Sequence, residues 1–199
     1  MAEDPRAEEI LDAWLGPGEV PSAQTRERWW RKDPAFDAML RERFGALLDE
    51  GARGELDGWA RTPRGALALV VLLDQLSRNI HRSTPRAFAQ DHAALGVARE
   101  ALAHGRDAAL PIHHRSWLYM PLMHAEDVEQ QRECVRRFEQ LAAAAPPAER
   151  AGFAEGADFA RQHLAIVERF GRFPHRNAIL GRETTPEEAA FLEQPGSSF

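Results

Sequence analysis

The 199-residue chain has one cysteine, no long apolar run and no long basic run. The lone Cys134 excludes an internal disulfide, and its spacing from Phe138 and Leu141 places it on a buried helix face. The longest wholly apolar stretch, residues 66–73, is far shorter than the roughly 20 residues of a membrane helix. A formal net charge of −6 argues against a nucleic-acid partner. We therefore expect neither a membrane span nor nucleic-acid binding.

Several functional motifs are also missing. Residues 1–6 are acidic and contain a proline, unlike the basic and then apolar start of a secretory signal, so we predict a cytoplasmic location. His113 and His114 would point about 100° apart on a helix, which disfavours a joint metal site. The chain has no phosphate-binding glycine loop, no serine nucleophile elbow and no dinucleotide fingerprint. We expect no metal and no cofactor.

A capping residue followed by proline recurs along the chain. Each pair supplies an N-cap acceptor and a residue whose fixed φ suits the first helical turn. The pairs predict helices that begin at Pro5, Pro34, Pro63, Pro85 and Pro186. No segment shows sustained strand alternation.

The apolar pattern indicates how far these helices extend. The helix from Pro34 is amphipathic up to Gly51, whereas the one from Pro63 is apolar on nearly every face and should be central. Further helices are predicted over 85–104, from Pro111 to a stop or kink at Pro121, over 126–144, and through Phe153 to Gly171. The sequence predicts a single all-α domain over residues 1–199, with about eight helices in antiparallel hairpins. Residues 170–185 form a functional loop, and residues 194–199 form a C-terminal tail.

The first polar cluster lies at the end of the central helix. Asp74 and Arg78 share a face at i, i+4, and Gln75 and Asn79 form a second pair beside them. A carboxylate near the negative end of the helix dipole needs a cation or several donors. The cluster is either a buried network that holds the helix end or part of a binding site.

The second cluster surrounds the single tyrosine, Tyr119, and continues to His124 and Glu126 at a predicted helix start. Free backbone N–H groups at such a start favour anions, and Glu126 also suits the helix dipole. For His124 the alternatives are a satisfied core histidine and a catalytic group.

The third cluster is the arginine-rich segment, residues 169–182, in which Gly171, Pro174 and Gly181 predict a loop. Arg172 and Arg176 could bind a carboxylate or phosphate with two hydrogen bonds each, and His175 could transfer protons. The same arginines could instead pair with acidic side chains and hold the domain together. Asn177 adds a further donor and acceptor.

The chain resembles the bacterial domain-of-unknown-function family 924 (DUF924) almost from end to end. The resemblance is carried by the strings at residues 73–82, 119–127, 171–182 and 195–199. It implies a tetratricopeptide-like fold of paired antiparallel helices with a concave surface, and it brings no established activity. The characteristic polar positions fall on Asp74, Gln75, Arg78, Asn79, Tyr119, His124, Glu126, Arg172, His175, Arg176 and Asn177.

The chain departs from the family pattern at three positions. Ser77 stands where proline is expected, His81 where phenylalanine is expected, and Ala125 where serine is expected. The last departure removes any chemistry that depends on a hydroxyl group there.

Three functional hypotheses follow. In the first, Arg78, Arg172 and Arg176 neutralise a small anionic metabolite while His124, His175 and Glu126 orient it or move protons. In the second, a tetratricopeptide-like scaffold binds the carboxylate of a peptide or protein C-terminus. In the third, the polar network is structural and the tail with Phe199 docks on its own domain or on a neighbouring subunit.

Overall fold

The computed structural model describes residues 4–197, and the part described contains helices and turns but no β-strand. This confirms the all-α class. The α-helices are α1 (Pro5–Leu15), α2 (Ala23–Trp30), α3 (Pro34–Ala52), α4 (Pro63–Val70), α5 (Ser77–Ile80), α6 (Asp91–Ala103), α7 (Ile112–His124), α8 (Val128–Ala144), α9 (Arg150–Phe170), α10 (Asn177–Leu180) and α11 (Pro186–Leu192). The predicted total of about eight is approximate because several short helices lie between the long ones. The tetratricopeptide-like arrangement stays a prediction.

Four of the five proline-marked helix starts are confirmed. The side chains of Asp4, Asp33, Thr62 and Thr185 accept hydrogen bonds from backbone N–H groups in the first turns of α1, α3, α4 and α11. At Pro85, by contrast, only a 3-10 helix forms, Pro85–Phe88, and α6 begins later. The single helix predicted over 85–104 is therefore wrong, because Gln90, with φ −104° and ψ 6°, separates the two elements.

Other predicted helix ends also shift. Helix α3 continues through Gly51, helix α7 continues past Pro121, and α8 begins at Val128 with Asp127 as its N-cap. Helix packing therefore outweighs the local preferences of residues such as Gly51 and Pro121 for ending a helix.

The described residues divide between two compact units, and residues up to Arg82 together with Arg86–Pro121 form unit one. Its centre is one continuous helical stretch, in which a π-helical segment, Val71–Leu76, joins α4 to α5. Helices α1, α3 and α6 pack against this stretch, and residues 66–73 are all buried. The central position predicted for the helix from Pro63 is thus correct.

Of the described residues, unit two comprises Ser83–Pro85 and residues 122–197. Its main element is the α8–α9 hairpin. Ion pairs join Arg132 to Glu168 and Glu139 to Arg161, so the partner positions run in opposite directions and the helices are antiparallel. Beside this hairpin, Phe173 is fully buried in a cluster with Ile166 and Val167. That the two units constitute one domain stays a prediction.

The C-terminal tail is described as far as Ser197. This serine is buried, and its hydroxyl donates to the Leu192 carbonyl at 3.1 Å, so the tail turns back on α11. The predicted docking of Phe199 lies outside the described residues.

Candidate functional site

In unit one, the π-helical segment turns two consecutive polar side chains inward. Asp74 is fully buried, and Gln75 Nε2 donates to its Oδ2 at 2.5 Å. Arg78 Nη1 lies 2.8 Å from Asp74 Oδ1, and the same guanidinium makes two hydrogen bonds to Asp91, at 2.8 and 3.0 Å. Burial disfavours the cation, but the two carboxylates raise the pKa of Arg78, which stays charged.

The next turn of the same stretch supports a second ion-pair network. Asn79 Nδ2 donates to Asp37 Oδ1 at 2.8 Å, and Arg82 binds both oxygens of Asp37, at 2.7 and 2.9 Å. These contacts attach the end of the central stretch to α3. Tyr119 donates its hydroxyl to Asp107 Oδ2 at 2.7 Å within the same unit.

In unit two, Glu126 holds the arginine-rich segment. Its carboxylate accepts hydrogen bonds from the Phe173 amide at 2.8 Å and from the Arg182 guanidinium at 2.6 and 2.9 Å. Burial alone would favour the neutral acid, yet these hydrogen bonds lower the pKa of Glu126. Glu126 is therefore an ionised anchor, which makes the predicted proton-transfer role less suitable for it.

A second carboxylate, Glu188 on α11, ties down the same segment. It accepts from Arg172 at 2.7 and 2.9 Å, from Asn177 Nδ2 at 3.2 Å and from the Thr185 amide at 2.8 Å. The Arg172 hydrogen bonds are the main reason that the pKa of Glu188 falls to about 2. Since Asn177 is fully buried and also accepts from Arg182 at 3.0 Å, it serves as an internal connector.

Four side chains of unit two interact with one another and form the histidine–arginine cluster, which we define as His124, His163, His175 and Arg176. Arg176 is only 5% exposed, and its guanidinium carbon lies 4.5 Å from the centre of the Phe173 ring. The rings of His163 and His175 each lie 5.6 Å from the same phenylalanine ring. Phe173 therefore forms the apolar support of the cluster.

Two histidines of the cluster, His163 and His175, are held in the neutral form. Burial lowers the pKa of His163 to about 3, with further lowering from His124 and Arg176. Burial and then Arg176 lower the pKa of His175 to about 4. Near neutral pH these imidazoles serve as hydrogen-bonding groups, while the guanidinium supplies the positive charge.

The structure corrects the loop predicted over the arginine-rich segment. Arg169 and Phe170 belong to α9, Gly171 ends that helix in the left-handed region at φ 69°, and a 3-10 helix, Pro174–Arg176, leads directly into α10. The prolines and glycines mark real breaks. From Pro174 to Leu180 the backbone is nevertheless helical, and His175 and Arg176 lie on its first turn.

The candidates thus fall into two groups. Unit one holds Asp74, Gln75, Arg78, Asn79 and Tyr119, whereas unit two holds His124, Glu126, Arg172, His175, Arg176 and Asn177. Sequence reasoning missed three central residues: Arg182, Glu188 and, on the unit-one side, Asp91. Arg182 follows Gly181 in the segment already singled out, so its place there was a signal that could have identified it.

The described residues 4–197 contain no cluster of three or more histidine, cysteine, aspartate or glutamate side chains arranged to hold a metal ion. No helix in the same range has the length and apolar character that crossing a bilayer requires.

Comparisons with known proteins establish the family. A family model described as a bacterial protein of unknown function (DUF924) matches residues 10–196. The chain belongs to the DUF924 family. A solved structure of a protein of unknown function, ATU0120 from Agrobacterium tumefaciens, is 39% identical to this chain, with a TM-score of 0.82. That match covers 95% of this chain and 97% of the other. A search of curated proteins gave no match.

Proposed function

We propose that this DUF924 protein binds a small anionic molecule at the histidine–arginine cluster of unit two. The observation that carries the proposal is a buried guanidinium, Arg176, supported by an aromatic ring beside two histidines, His163 and His175, that stay neutral. This combination offers positive charge together with neutral hydrogen-bond donors and acceptors. A small carboxylate or phosphate monoester would use both kinds of group.

The rigidity of the surrounding backbone supports the same proposal. The turn that carries His175 and Arg176 is attached at Phe173 through Glu126 and at Asn177 through Glu188. A preorganised site loses less conformational entropy when a ligand binds. The unit-one candidates Asp74, Gln75, Arg78, Asn79 and Tyr119 stay a separate prediction, and a cytoplasmic location remains our prediction.

The test is calorimetric titration at pH 7.5 and low salt with sodium formate, sodium acetate, inorganic phosphate and a short peptide that ends in a free carboxylate. We expect saturable binding of at least one probe, weakened about tenfold or more in Arg176→Gln because a charge-assisted hydrogen bond contributes roughly 1.5–3 kcal/mol. The matched control is Arg132→Gln, on the exposed face of α8, which should leave the affinity unchanged.

Each outcome has a defined meaning. Thermal melts would verify that the variants fold, and His175→Gln, at a half-buried position, replaces Arg176→Gln if that variant does not. Binding of the peptide but not of its C-terminally amidated form would assign the site to protein termini instead. If no probe binds wild type, or if Arg176→Gln and His175→Gln bind as wild type does, the network is structural and the proposal is wrong.

A further inference from the structure

Arg182 occupies a special place in the arginine-rich segment. It follows Gly181, which adopts the left-handed conformation at φ 65° and ends α10. There its backbone N–H donates to the Asn177 carbonyl at 2.8 Å, and its Nε donates to the Asn177 side-chain oxygen at 3.0 Å. Both bonds attach Arg182 to the residue that directly follows Arg176.

The same guanidinium also reaches the residue before the turn. Its Nη2 donates to the Phe173 carbonyl at 3.1 Å, while Nη1 and Nη2 bind the two oxygens of Glu126. Glu126 in turn accepts the Phe173 amide at 2.8 Å. Glu126 therefore binds the backbone N–H of Phe173, and Arg182 binds its C=O.

These contacts enclose one short piece of chain. Phe173 and Asn177 flank the 3-10 helix Pro174–Arg176, which carries two members of the histidine–arginine cluster. A single planar side chain therefore bonds to the residue on each side of this turn. Lysine could not reproduce this arrangement, because an ammonium group lacks the rigid fork of donors.

Arg172 provides the natural comparison within the same segment. It also makes two hydrogen bonds to one glutamate, Glu188, and one to a carbonyl, that of Glu183 at 2.8 Å. Its partners lie at and before α11, however, and it makes no hydrogen bond to Phe173 or Asn177 among the described contacts. Arg172 thus attaches the segment to α11, whereas Arg182 defines the shape of the turn itself.

We infer that Arg182 is a positioning residue of the anion site: it fixes the turn on which His175 and Arg176 meet the ligand, without binding the ligand itself. The inference rests on the proposed function for its ligand. It assigns Arg182 and Arg172 different tasks, although both form bidentate pairs with glutamate. Glu126 then acts as the counter-ion that keeps the Arg182 fork oriented.

The experiment compares Arg182→Gln and Arg182→Lys with Arg172→Gln. Two quantities are measured: the affinity for whichever of formate, acetate or inorganic phosphate binds wild type, and the NMR titration of the His175 imidazole without ligand. The second readout needs no ligand. If Arg182 had a structural role only, its replacement would change the melting temperature of the protein and would leave the pKa of His175 unchanged.

We expect Arg182→Gln to weaken probe affinity about tenfold or more, since small displacements of binding groups are costly. The His175 titration should move to higher pH, because a nearby cation is lost and the charge of Glu126 is no longer neutralised by it. Arg182→Lys should lose affinity almost as strongly, because it keeps the charge but not the fork. Arg172→Gln should leave the His175 titration unchanged, because Arg172 bonds to Glu188 and Glu183 rather than to the residues that flank the turn.

The results separate the two claims. If no probe binds wild type, the proposed function fails, yet a His175 titration that moves in both Arg182→Gln and the charge-preserving Arg182→Lys, and not in Arg172→Gln, still supports the positioning role. The inference is overturned if both glutamine variants move the His175 titration equally, or if neither does. It is also overturned if Arg182→Lys retains wild-type affinity together with an unchanged titration.

Discussion

In unit one the arginines at the end of the central stretch face carboxylates, whereas in unit two Arg176 lies over the ring of Phe173 among histidines. Arg78 contacts Asp74 and Asp91, and Arg82 contacts Asp37. Ion pairs of this kind join helices. They contribute to stability because each buried charge has a partner of opposite sign. In unit two, by contrast, the Phe173 ring and the neutral imidazoles of His163 and His175 surround the Arg176 guanidinium. The contrast concerns Arg176 alone, because Arg172 and Arg182 of unit two also pair with carboxylates, those of Glu188 and Glu126.

The largest effect should come from the unit-one network. Asp74→Ala leaves Arg78 without its fully buried partner, and we expect the free energy of unfolding to fall by about 3–5 kcal/mol. Urea denaturation measures it. Asp49→Ala is the control, because Asp49 pairs with Arg86 on the surface at 3.4 Å, and its effect should be within about 0.5 kcal/mol. Equal losses of unfolding free energy in Asp74→Ala and Asp49→Ala would contradict the distinction between buried and exposed ion pairs in this unit.

The attachment of the arginine-rich segment should show the next largest effect. Glu188→Gln replaces a buried carboxylate that accepts four hydrogen bonds by an amide that cannot accept them all, at a cost of about 1–3 kcal/mol. The adjacent Glu187→Gln disturbs only the exposed pair with Arg169 and should be nearly neutral. Chemical denaturation of both variants gives the comparison, and similar losses would show that Glu188 is not the anchor.

Helix starts were the most predictable part of the fold. Asp–Pro and Thr–Pro pairs act within one helical turn. Adjacent residues are therefore enough to predict the helix start, as at Pro34 and Pro186. The failure at Pro85 has the same physical origin, since Gln90 breaks the helix several residues beyond the local signal. The π-helical segment has no comparable local mark, because the packing around the central stretch determines it.

The site was predictable in its residue types more than in its pairings. The arginine-rich segment, His175 and Glu126 could be singled out because polar side chains at glycine and proline breaks need partners. The pairing of Glu126 with Arg182 joins positions 56 residues apart, and only the folded chain reveals it. The separation of Arg172 and Arg182 into different tasks likewise depends on which helix each guanidinium faces.

Acid pH should affect unit two in a characteristic window. His163 and His175 have pKa values of about 3 and about 4 in the folded protein, below the ordinary 6.5. The unfolded chain therefore binds protons first, so stability is complete above pH 6.5 and falls as the pH decreases from there toward 4. We expect each histidine to cost about 1–2 kcal/mol at pH 5.

Denaturation curves at pH 7.5 and pH 5 measure this loss. In His163→Asn the loss between the two pH values should shrink, whereas in His92→Asn, at an exposed position, it should equal that of wild type. A wild-type stability that does not change between these pH values would contradict the neutral, buried state of the cluster.

The smallest effect is expected on the outer face of the α8–α9 hairpin. A double-mutant cycle on Arg132 and Glu168, both about half exposed, should give a coupling of about 0.2–1 kcal/mol that high salt reduces. Denaturation in low and high salt supplies the four free energies. A larger coupling that resists salt would place this pair with the buried networks.

The most direct test of the central claim observes the histidines themselves. NMR signals of the eight imidazoles can be followed while formate or inorganic phosphate is added at pH 7.5. We predict saturable shifts for His124, His163 and His175, and none for the exposed His92 and His104. Shifts that grow in proportion to added salt for all histidines alike, or no shifts at all, would contradict an anion site at this cluster.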